Sequence, residues 1–193
     1  MDIDELISIV TLKKLEDNKF EGQNYKTVWG RIFGGQVLSQ SLHAAYQTVP
    51  ENRIAHSMHA YFILPGDLNE PVIYEVDNIR NGGSFTTRRV VAFQKGRAIF
   101  NMAASFQKDE EGFDHQIQMP NVLSPDLLLT DFEQAEKFKE ELAERYQIFL
   151  AAHPKVFDFK PVGTNIFLRK ENALPINPVS YTHLTLPTTR GGL

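Results

Sequence analysis

The clearest hydrophobic pattern in this chain is an alternation of apolar and polar residues over positions 97–107. The apolar positions of this run are Ala98, Phe100, Met102, Ala104 and Phe106, and the polar positions are Arg97, Asn101, Ser105 and Gln107. A period of two is typical of a β-strand with one buried face and one exposed face. Three other runs of strand-like composition come before it, at 54–64, 71–80 and 84–94.

Each of those earlier runs ends in residues that favour turns. The turn sequences are Pro65-Gly66-Asp67, Asn81-Gly82-Gly83 and Lys95-Gly96. Long strands joined by short turns predict an antiparallel sheet. A helix at about 35–49 comes before the sheet, because Leu38, Leu42, Ala45 and Val49 recur at the spacing of one helical face. We therefore predict an α+β fold in which a curved antiparallel sheet surrounds a central helix.

The segments on either side of this core are shorter or less regular. Apolar residues at mixed helical spacing predict a short N-terminal helix within 4–16, and residues 20–25 predict an edge strand. A polar, proline-bearing linker follows the sheet at 109–125. A second helix is predicted at 131–152, with Asp131 as its N-cap. Residues 156–170 alternate again, which predicts the first strand of a second unit.

The last residues of the chain share no pattern with the rest. Residues 179–188 match, in order, the codons GTC TCT TAT ACA CAT CTG ACG CTG CCG ACG, the mosaic end and adapter of a common transposase-based sequencing library. The adapter bases before this string would complete a proline codon, and residue 178 is proline. A genuine disordered tail is the alternative. We expect the native sequence to end at about Asn177, with library DNA read through after it.

These patterns predict an organisation in four parts. They are an N-terminal domain at 1–108, a linker and helix at 109–155, the start of a second domain at 156–177 and a non-native tail at 178–193.

Composition and charge are ordinary for a globular protein. The 193 residues are 42% hydrophobic and 23% charged, with a formal net charge of −4. This balance gives no general attraction to nucleic acid or to an anionic membrane, so neither is expected as a partner. The lack of cysteine excludes a disulfide framework and a cysteine nucleophile. An acidic start and the lack of a long apolar run argue against a targeting segment or a membrane span, so a cytoplasmic location is expected.

Gly34 and Gly35 stand directly before the apolar stripe of the predicted central helix. The first N–H groups of a helix have no acceptor within it, and the helix dipole favours negative charge there. Because glycine has no Cβ, a ligand could approach these donors closely, and an anion or a developing oxyanion could bind. A tight turn into a core helix is the alternative explanation. Gln36, in the first turn, could add a side-chain donor.

His56 and His59 have the spacing of a metal-binding pair. Residues three apart on a regular strand point to opposite faces, so we do not expect them to share an ion. His56 would share a face with Met58 and Phe62, where a histidine is either a hydrogen-bonded core residue or a catalytic one.

Arg88 and Arg89 are adjacent on a predicted strand and therefore point in opposite directions. One of them could face a phosphate-bearing ligand, and solvated arginines are the alternative. The sequence contains neither a Cys/His metal cluster nor a nucleotide-binding motif, so no metal or cofactor is expected.

Several blocks of the sequence form a recognisable set. They are Phe33-Gly-Gly-Gln36, His56-Ser-Met-His-Ala-Tyr-Phe62, Leu64-Pro-Gly-Asp67, Asn81-Gly-Gly-Ser-Phe-Thr-Thr-Arg-Arg-Val90, Ala103-Ala-Ser-Phe106 and Gly112-Phe-Asp-His-Gln116. In this order, over about residues 3–170, the chain resembles the N-terminal half of the type II acyl-CoA thioesterases. The resemblance implies a double hot-dog fold, with two helix-in-sheet units per chain, of which the second would be truncated here. It also implies hydrolysis of fatty acyl-CoA to free acid and CoA, in fatty acid metabolism.

The resemblance also implies a site. In this family the Asp, the Thr or Ser, and the Gln that orient the attacking water lie in the second unit, so none of them can be placed on this chain. His56 matches a candidate active-site histidine of the N-terminal half. Gly34, Gly35 and Gln36 would polarise the thioester carbonyl, and basic residues such as Arg88 would hold the CoA phosphates. An activated water suffices for a thioester, so no cofactor is implied, and the full-length protein would be a dimer or tetramer.

Three other functions stay open on the sequence. They are a non-catalytic acyl-CoA-binding module, a hot-dog enoyl hydratase acting on acyl-CoA or acyl carrier protein, and a purely structural partner of the second half. A hydratase would pair a histidine with a carboxylate, and Asp67 is the nearest candidate to His56. A truncated second unit would leave an open sheet edge, which predicts dimerisation or aggregation.

Overall fold

The computed structural model of the chain describes residues 2–27, 30–119, 121–141, 156–162 and 180–182. The chain divides into two compact units, and the first comprises Ile3–Asp114. The elements of the first unit are α1 (Ile3–Val10), β1 (Lys13–Glu16), β2 (Lys19–Gly22), α2 (Gly34–Tyr46), β3 (Ile54–Phe62), β4 (Val72–Asn81), β5 (Phe85–Gln94) and β6 (Arg97–Gln107).

The six strands form one antiparallel sheet in the order β1-β2-β4-β5-β6-β3. Helix α2 packs against β2, β4, β5 and β6, on one face of this sheet. The sheet contributes buried apolar side chains to the core between them, among them Val72, Tyr74, Val90, Ala92, Phe100, Met102 and Phe106. This arrangement confirms the predicted α+β fold and the helix at its centre.

The buried face of α2 is more polar than its apolar stripe predicts. Leu38 and Leu42 reach the core but stay partly exposed, whereas Gln40 and Ser41 are fully buried. Gln40 accepts a 2.6 Å hydrogen bond from the hydroxyl of Tyr74, and burial raises the pKa of Tyr74 far above its ordinary value. Gln40 and Tyr74 tolerate burial because they bond to each other, whereas the buried hydroxyl of Ser41 has no hydrogen-bond partner among the described residues.

The N-terminal segment differs from the prediction. The helix ends at Val10, and the next residues form the hairpin of β1 and β2 around Asn18, whose φ is 61°. Asparagine tolerates this left-handed conformation, which a tight hairpin requires. The strand predicted at 20–25 is β2, and it is second from the edge because β1 lies outside it.

The described residues of the second unit contain α3 (Asp131–Lys137), β7 (Phe159–Pro161) and β8 (Ser180–Thr182), besides two short 3-10 turns. The N-cap of α3 is Thr130 and not Asp131, because the Thr130 hydroxyl accepts from the Glu133 N–H while the Glu133 carboxylate accepts from the Thr130 N–H. The helix predicted to 152 ends at Lys137, where a 3-10 turn at Lys139–Glu141 follows, and the residues predicted at 142–152 and after 162 lie outside the described residues.

Strand β8 falls within the tail that we expect to be non-native, and it pairs with β7. Backbone hydrogen bonds between two such short strands do not depend on side-chain identity, so this pairing does not test whether the tail is native. The origin of the tail stays a prediction. Among the helices described, none is long and apolar enough to cross a membrane.

Candidate functional site

The first unit contains a cavity of about 630 Å³ beside the start of α2. Its walls come from three places: the entry to α2, the end of β3 with the residues after it, and the first part of β6. The lining residues are Arg31, Ile32, Phe33, Gly34, Val37, Phe62, Ile63, Leu64, Pro65, Gly66, Ile99 and Phe100. Arg31 is the one charged residue in this lining, so the cavity suits an apolar ligand segment.

The N-terminus of α2 adds polar donors to this apolar wall. The N–H groups of Gln36 and Val37 both bond to the carbonyl of Phe33, at 3.0 and 3.4 Å. In the described part of the chain, the N–H groups of Gly34 and Gly35 have no acceptor, and the N-cap residue Phe33 offers no side-chain oxygen. Two free donors at the positive end of a helix can polarise a carbonyl oxygen or hold an anion.

Two phenylalanine rings occupy the space beside these glycines. A Cβ at Gly34 would lie 2.8 Å from Cε1 of Phe62, and a Cβ at Gly35 would lie 2.5 Å from Cε1 of Phe33. The glycines are therefore needed for ring packing as well as for any close approach of a ligand. Phe62 and Phe33 are 62% and 58% exposed, and the ring of Phe62 also packs on the buried ring of Phe100.

Gln36 does not provide the free side-chain donor expected from the sequence. Its buried amide donates to the carbonyl of Gln23 at 3.1 Å and to Oδ1 of Asn24 at 3.0 Å. Its carbonyl oxygen accepts from the N–H of Tyr25 at 3.0 Å. Both N–H groups of the amide are engaged, so Gln36 holds the chain before α2 in place and does not point at the cavity.

Arg88 is neither solvated nor available to a phosphate. It is 1% exposed, and burial lowers the pKa of its guanidinium. All five N–H donors are used: Thr48 takes two through its hydroxyl and its carbonyl, and Arg80 O, Thr87 O and Asn81 Oδ1 take the others. Since Thr48 follows the end of α2, the cation also lies at the negative end of the helix dipole. Arg88 is a structural residue, and the expectation that it binds CoA is wrong.

A β-bulge changes the face to which His56 belongs. The register of β3 against β6 shifts between Ala55 and Ser57, so the alternation of side chains breaks at His56. His56 Nε2 lies 2.8 Å from the hydroxyl oxygen of Ser105, and its ring makes an edge contact with Phe85.

Ser105 lies between two buried residues of β6, Ala104 and Phe106, and so points away from α2. His56 therefore lies on the outer face of the sheet and does not share the inner face with Met58 and Phe62 as expected. His59 pairs with Ala103 and lies on the outer face as well. No pattern in the sequence indicates the bulge, and Ser105 is the partner of His56 that sequence reasoning missed.

Within the first unit, His56 and the cavity are far apart. His56 is near the beginning of β3 and Phe62 is at its end, which is about 20 Å along an extended strand. The structure places Gly34 in the lining of the apolar cavity with Gly35 next to it at the start of α2, and it leaves His56 outside that group.

Asp67 is poorly suited to act as a base. Its carboxylate accepts from the N–H of Asn69 and pairs with Lys95 at 3.1 Å, and these contacts hold its pKa below the ordinary value. Among the described residues, no group of three or more His, Asp or Glu side chains could hold a metal ion.

The fold and the cavity define a helix-on-sheet unit with an apolar ligand site at the N-terminus of its central helix. Residues 24–107 match the acyl-CoA thioesterase N-terminal domain, so this part of the chain is similar to that family. This confirms the resemblance drawn from the sequence blocks.

Relatives with curated names agree with that assignment. The chain is 41% identical over 142 residues to acyl-CoA thioesterase 2 of Haemophilus influenzae, covering 74% of this chain and 50% of the relative. It is 37% identical over 162 residues to acyl-coenzyme A thioesterase 8 of Homo sapiens, covering 81% of this chain and 51% of the relative. The chain thus spans about half the length of the curated relatives it matches.

Solved structures show the same fold. The acyl-CoA thioesterase II TesB2 of Mycobacterium marinum matches with a TM-score of 0.60 and 35% identity, over 81% of this chain and 49% of that chain. A hot-dog protein of Alicyclobacillus acidocaldarius matches with a TM-score of 0.59 at 19% identity, which shows the fold alone. The first unit is a hot-dog domain, as predicted.

Proposed function

We propose that this chain corresponds to the N-terminal half of an acyl-CoA thioesterase, which hydrolyses fatty acyl-CoA to free fatty acid and CoA. The observation that carries the proposal is the apolar cavity lined by Gly34, whose N–H is free, with the free N–H of Gly35 next to it, within residues that match the thioesterase N-terminal domain. The acyl chain lies in the cavity, and the thioester oxygen accepts from these donors.

The reaction needs no covalent intermediate on the protein. Water adds to the thioester carbon, the carbonyl oxygen becomes an oxyanion, and the C–S bond then breaks. The sulfur leaves with the bonding electrons and takes a proton, while the former water oxygen stays on the acid. The N–H groups of Gly34 and Gly35 stabilise the oxyanion, and the general base lies on a second unit such as the longer relatives have room for.

The proposed partner of the first unit is another hot-dog unit paired on β3. In the described sheet, β3 is an edge strand of nine residues that contains no Asp, Glu, Lys or Arg. The opposite edge, β1, is short and carries Lys13, Lys14 and Glu16, which discourage pairing. Ile54, Met58 and Phe62 on β3 are also largely exposed. An uncharged, unprotected edge favours the addition of a strand.

Self-pairing of two copies has a defined register. Ile63 donates its N–H to Ile99 O, and bonding alternates along an antiparallel pair, so Met58 turns its N–H and C=O to the open edge. A two-fold axis at Met58, the middle of β3, pairs the two copies of the strand side by side over their full length. Ile54 of one copy then lies opposite Phe62 of the second copy. A homodimer of this chain is the simplest occupant of that edge.

We expect Met58→Cys to form a disulfide-linked dimer under mild oxidation. The chain has no cysteine of its own, so every crosslink reports the introduced thiol. Directly opposed residues in a bonded pair have Cα atoms about 5.5 Å apart, within the range of a disulfide. His59→Cys is the matched control, because in this register its two copies are too far apart to bridge. Equal crosslinking of both variants, measured by non-reducing electrophoresis, would rule out the register.

Antiparallel pairing places the beginning of one β3, with its His56, beside the end of the other β3. His56 stays on the outer face of the paired sheet, whereas the cavity of the second unit lies on the face of α2, so the proposed site does not include His56. A cytoplasmic location and a place in fatty acid metabolism complete the proposal, because they fit the acyl-CoA substrate.

Binding and turnover of acyl-CoA test the function directly. We expect the chain to bind a non-hydrolysable dodecyl-CoA thioether, and to release CoA from palmitoyl-CoA slowly, because the second unit's catalytic residues cannot be placed on it. Calorimetry measures the first, and a thiol assay measures the second. Binding without any CoA release supports an acyl-CoA-binding module, and hydration of crotonyl-CoA would support the hydratase. Failure to bind the thioether removes the proposed site.

A further inference from the structure

We infer that Asn24, Gln36 and Gln94 are positioning residues, whose side-chain amides fix one wall of the cavity. The inference rests on the proposed function, since it concerns the same cavity. The wall is the segment 62–66, which runs from the end of β3 along the cavity. It continues into the loop 67–70, which joins β3 to β4 and has no regular structure of its own.

Two amides bond to the backbone of the loop 67–70, and Lys95 adds ion pairs to the carboxylates of Asp67 and Glu70 at 3.1 and 3.2 Å. Gln94, buried at the end of β5, accepts from the N–H of Asp67 at 2.8 Å and donates to the carbonyls of Asp67 and Glu70 at 2.9 and 2.6 Å. Asn24 donates to the carbonyl of Glu70, and it also lies within 3.3 and 3.4 Å of the carbonyl oxygens of Asp67 and Leu68. The backbone of the loop is therefore bonded to side chains rather than to a strand.

The same network reaches the helix that carries the free donors. Gln36, in the first turn of α2, donates to Oδ1 of Asn24 at 3.0 Å. Asn24 thus accepts from the helix on one side and donates to the loop on the other, which a primary amide can do and a carboxylate or hydrocarbon cannot. A second link is the bond from the N–H of Ile32 to the carbonyl of Gly66, at 3.1 Å.

This network of amides links the wall 62–66, which limits the depth of the cavity, to the N-terminus of α2, which carries the free N–H donors. The loop fixes where the wall 62–66 ends, and Gln36 fixes where α2 begins. If the amide bridge is broken, we expect the wall to move while the helix stays, because the bonds of Gln36 to Gln23 and Tyr25 do not involve the loop. The amides therefore set the chain length that the cavity accepts.

Asn24→Asp keeps the hydrogen bond between residue 24 and Gln36 but removes the hydrogen bonds from residue 24 to the loop. The aspartate keeps the oxygen that accepts from Gln36, but it places a second oxygen against the loop carbonyls, where Nδ2 donates in the native chain. We expect hydrogen exchange of the bonded amides of Ile63, Leu64 and Asp67 to accelerate at least about tenfold, while the amides of Val76 and Val90 are unchanged. The preference for dodecyl-CoA over butyl-CoA thioether should fall by about the same factor.

Gln107→Asp is the matched control, since it adds the same charge at an exposed position at the end of β6. Gln94→Met removes both N–H donors from Gln94 to the loop. It should therefore accelerate hydrogen exchange of the same wall amides. Unchanged exchange at 62–67 in Asn24→Asp and Gln94→Met, or an unchanged chain-length preference despite faster exchange, overturns the inference. If the native chain binds neither thioether, the proposed function fails, whereas the exchange data still decide whether the amides hold the wall.

Discussion

Replacing Arg88 with methionine should cost about 3–5 kcal/mol of unfolding free energy, a large part of the stability of a domain of this size. The methionine side chain matches the stem of arginine but donates no hydrogen bond. Five oxygens that now accept from the guanidinium would lose their partner within a site that is 1% exposed. The end of α2 at Thr48 and the irregular part of β4 at Arg80 and Asn81 would lose their common anchor.

Arg89→Met is the control for that substitution. Arg89 is the next residue of β5, points to the other face and makes an exposed ion pair with Asp77 at 2.8 Å. Exposed pairs contribute little, so we expect a loss below about 1 kcal/mol. Urea unfolding of both variants measures the difference. Similar midpoints for the two would show that Arg88 is not the anchor that its hydrogen bonds indicate.

The contrast between these two arginines shows what the sequence could predict. Alternation over 97–107 and the turn residues at 65–67, 81–83 and 95–96 were enough to predict the strands β3 to β6 to within two residues. Those signals are local: a period of two, and residues such as Lys95 and Gly96 that adopt positive φ in a hairpin turn. The helix α2 and the α+β arrangement followed from them.

Burial of a charged residue could not be predicted in the same way. Thr86, Arg88, Val90, Ala92 and Gln94 share the inner face of β5. In the sequence, however, Val91 and Phe93 make the other face just as apolar, so the side that faces α2 was undetermined. Arg88 is tolerated inside only because the ends of α2 and β4 provide acceptors, and these are tertiary contacts.

The same distinction between local signals and tertiary contacts applies to the candidate site. Gly34 and Gly35 were found from the sequence, because a glycine pair before an apolar helical stripe is a local signal. The position of His56 was predicted on the wrong face, because one extra residue in a bulge reverses every assignment before it. The cavity wall and the amides that hold it come from segments far apart in the chain, so no periodicity could indicate them.

Gly34→Pro should remove one oxyanion donor and leave the fold intact. Gly34 is the first residue of α2, where proline is favoured and the missing N–H breaks no hydrogen bond in the described structure. The residue before it, Phe33, already has φ −69° and ψ 127°, the extended conformation that proline requires of its predecessor. The new ring would displace only the exposed ring of Phe62.

Gly34→Ala separates the loss of the donor from the added bulk, because alanine keeps the N–H and adds only a Cβ. The carbonyl infrared band of a bound, isotope-labelled thioester should shift to lower frequency in the native chain and in Gly34→Ala, and that shift should shrink in Gly34→Pro. Where hydrolysis is measurable, loss of one such donor should lower kcat by about 10²–10³-fold. An equal band shift in all three proteins would place the carbonyl elsewhere and leave the N-terminus of α2 a structural turn.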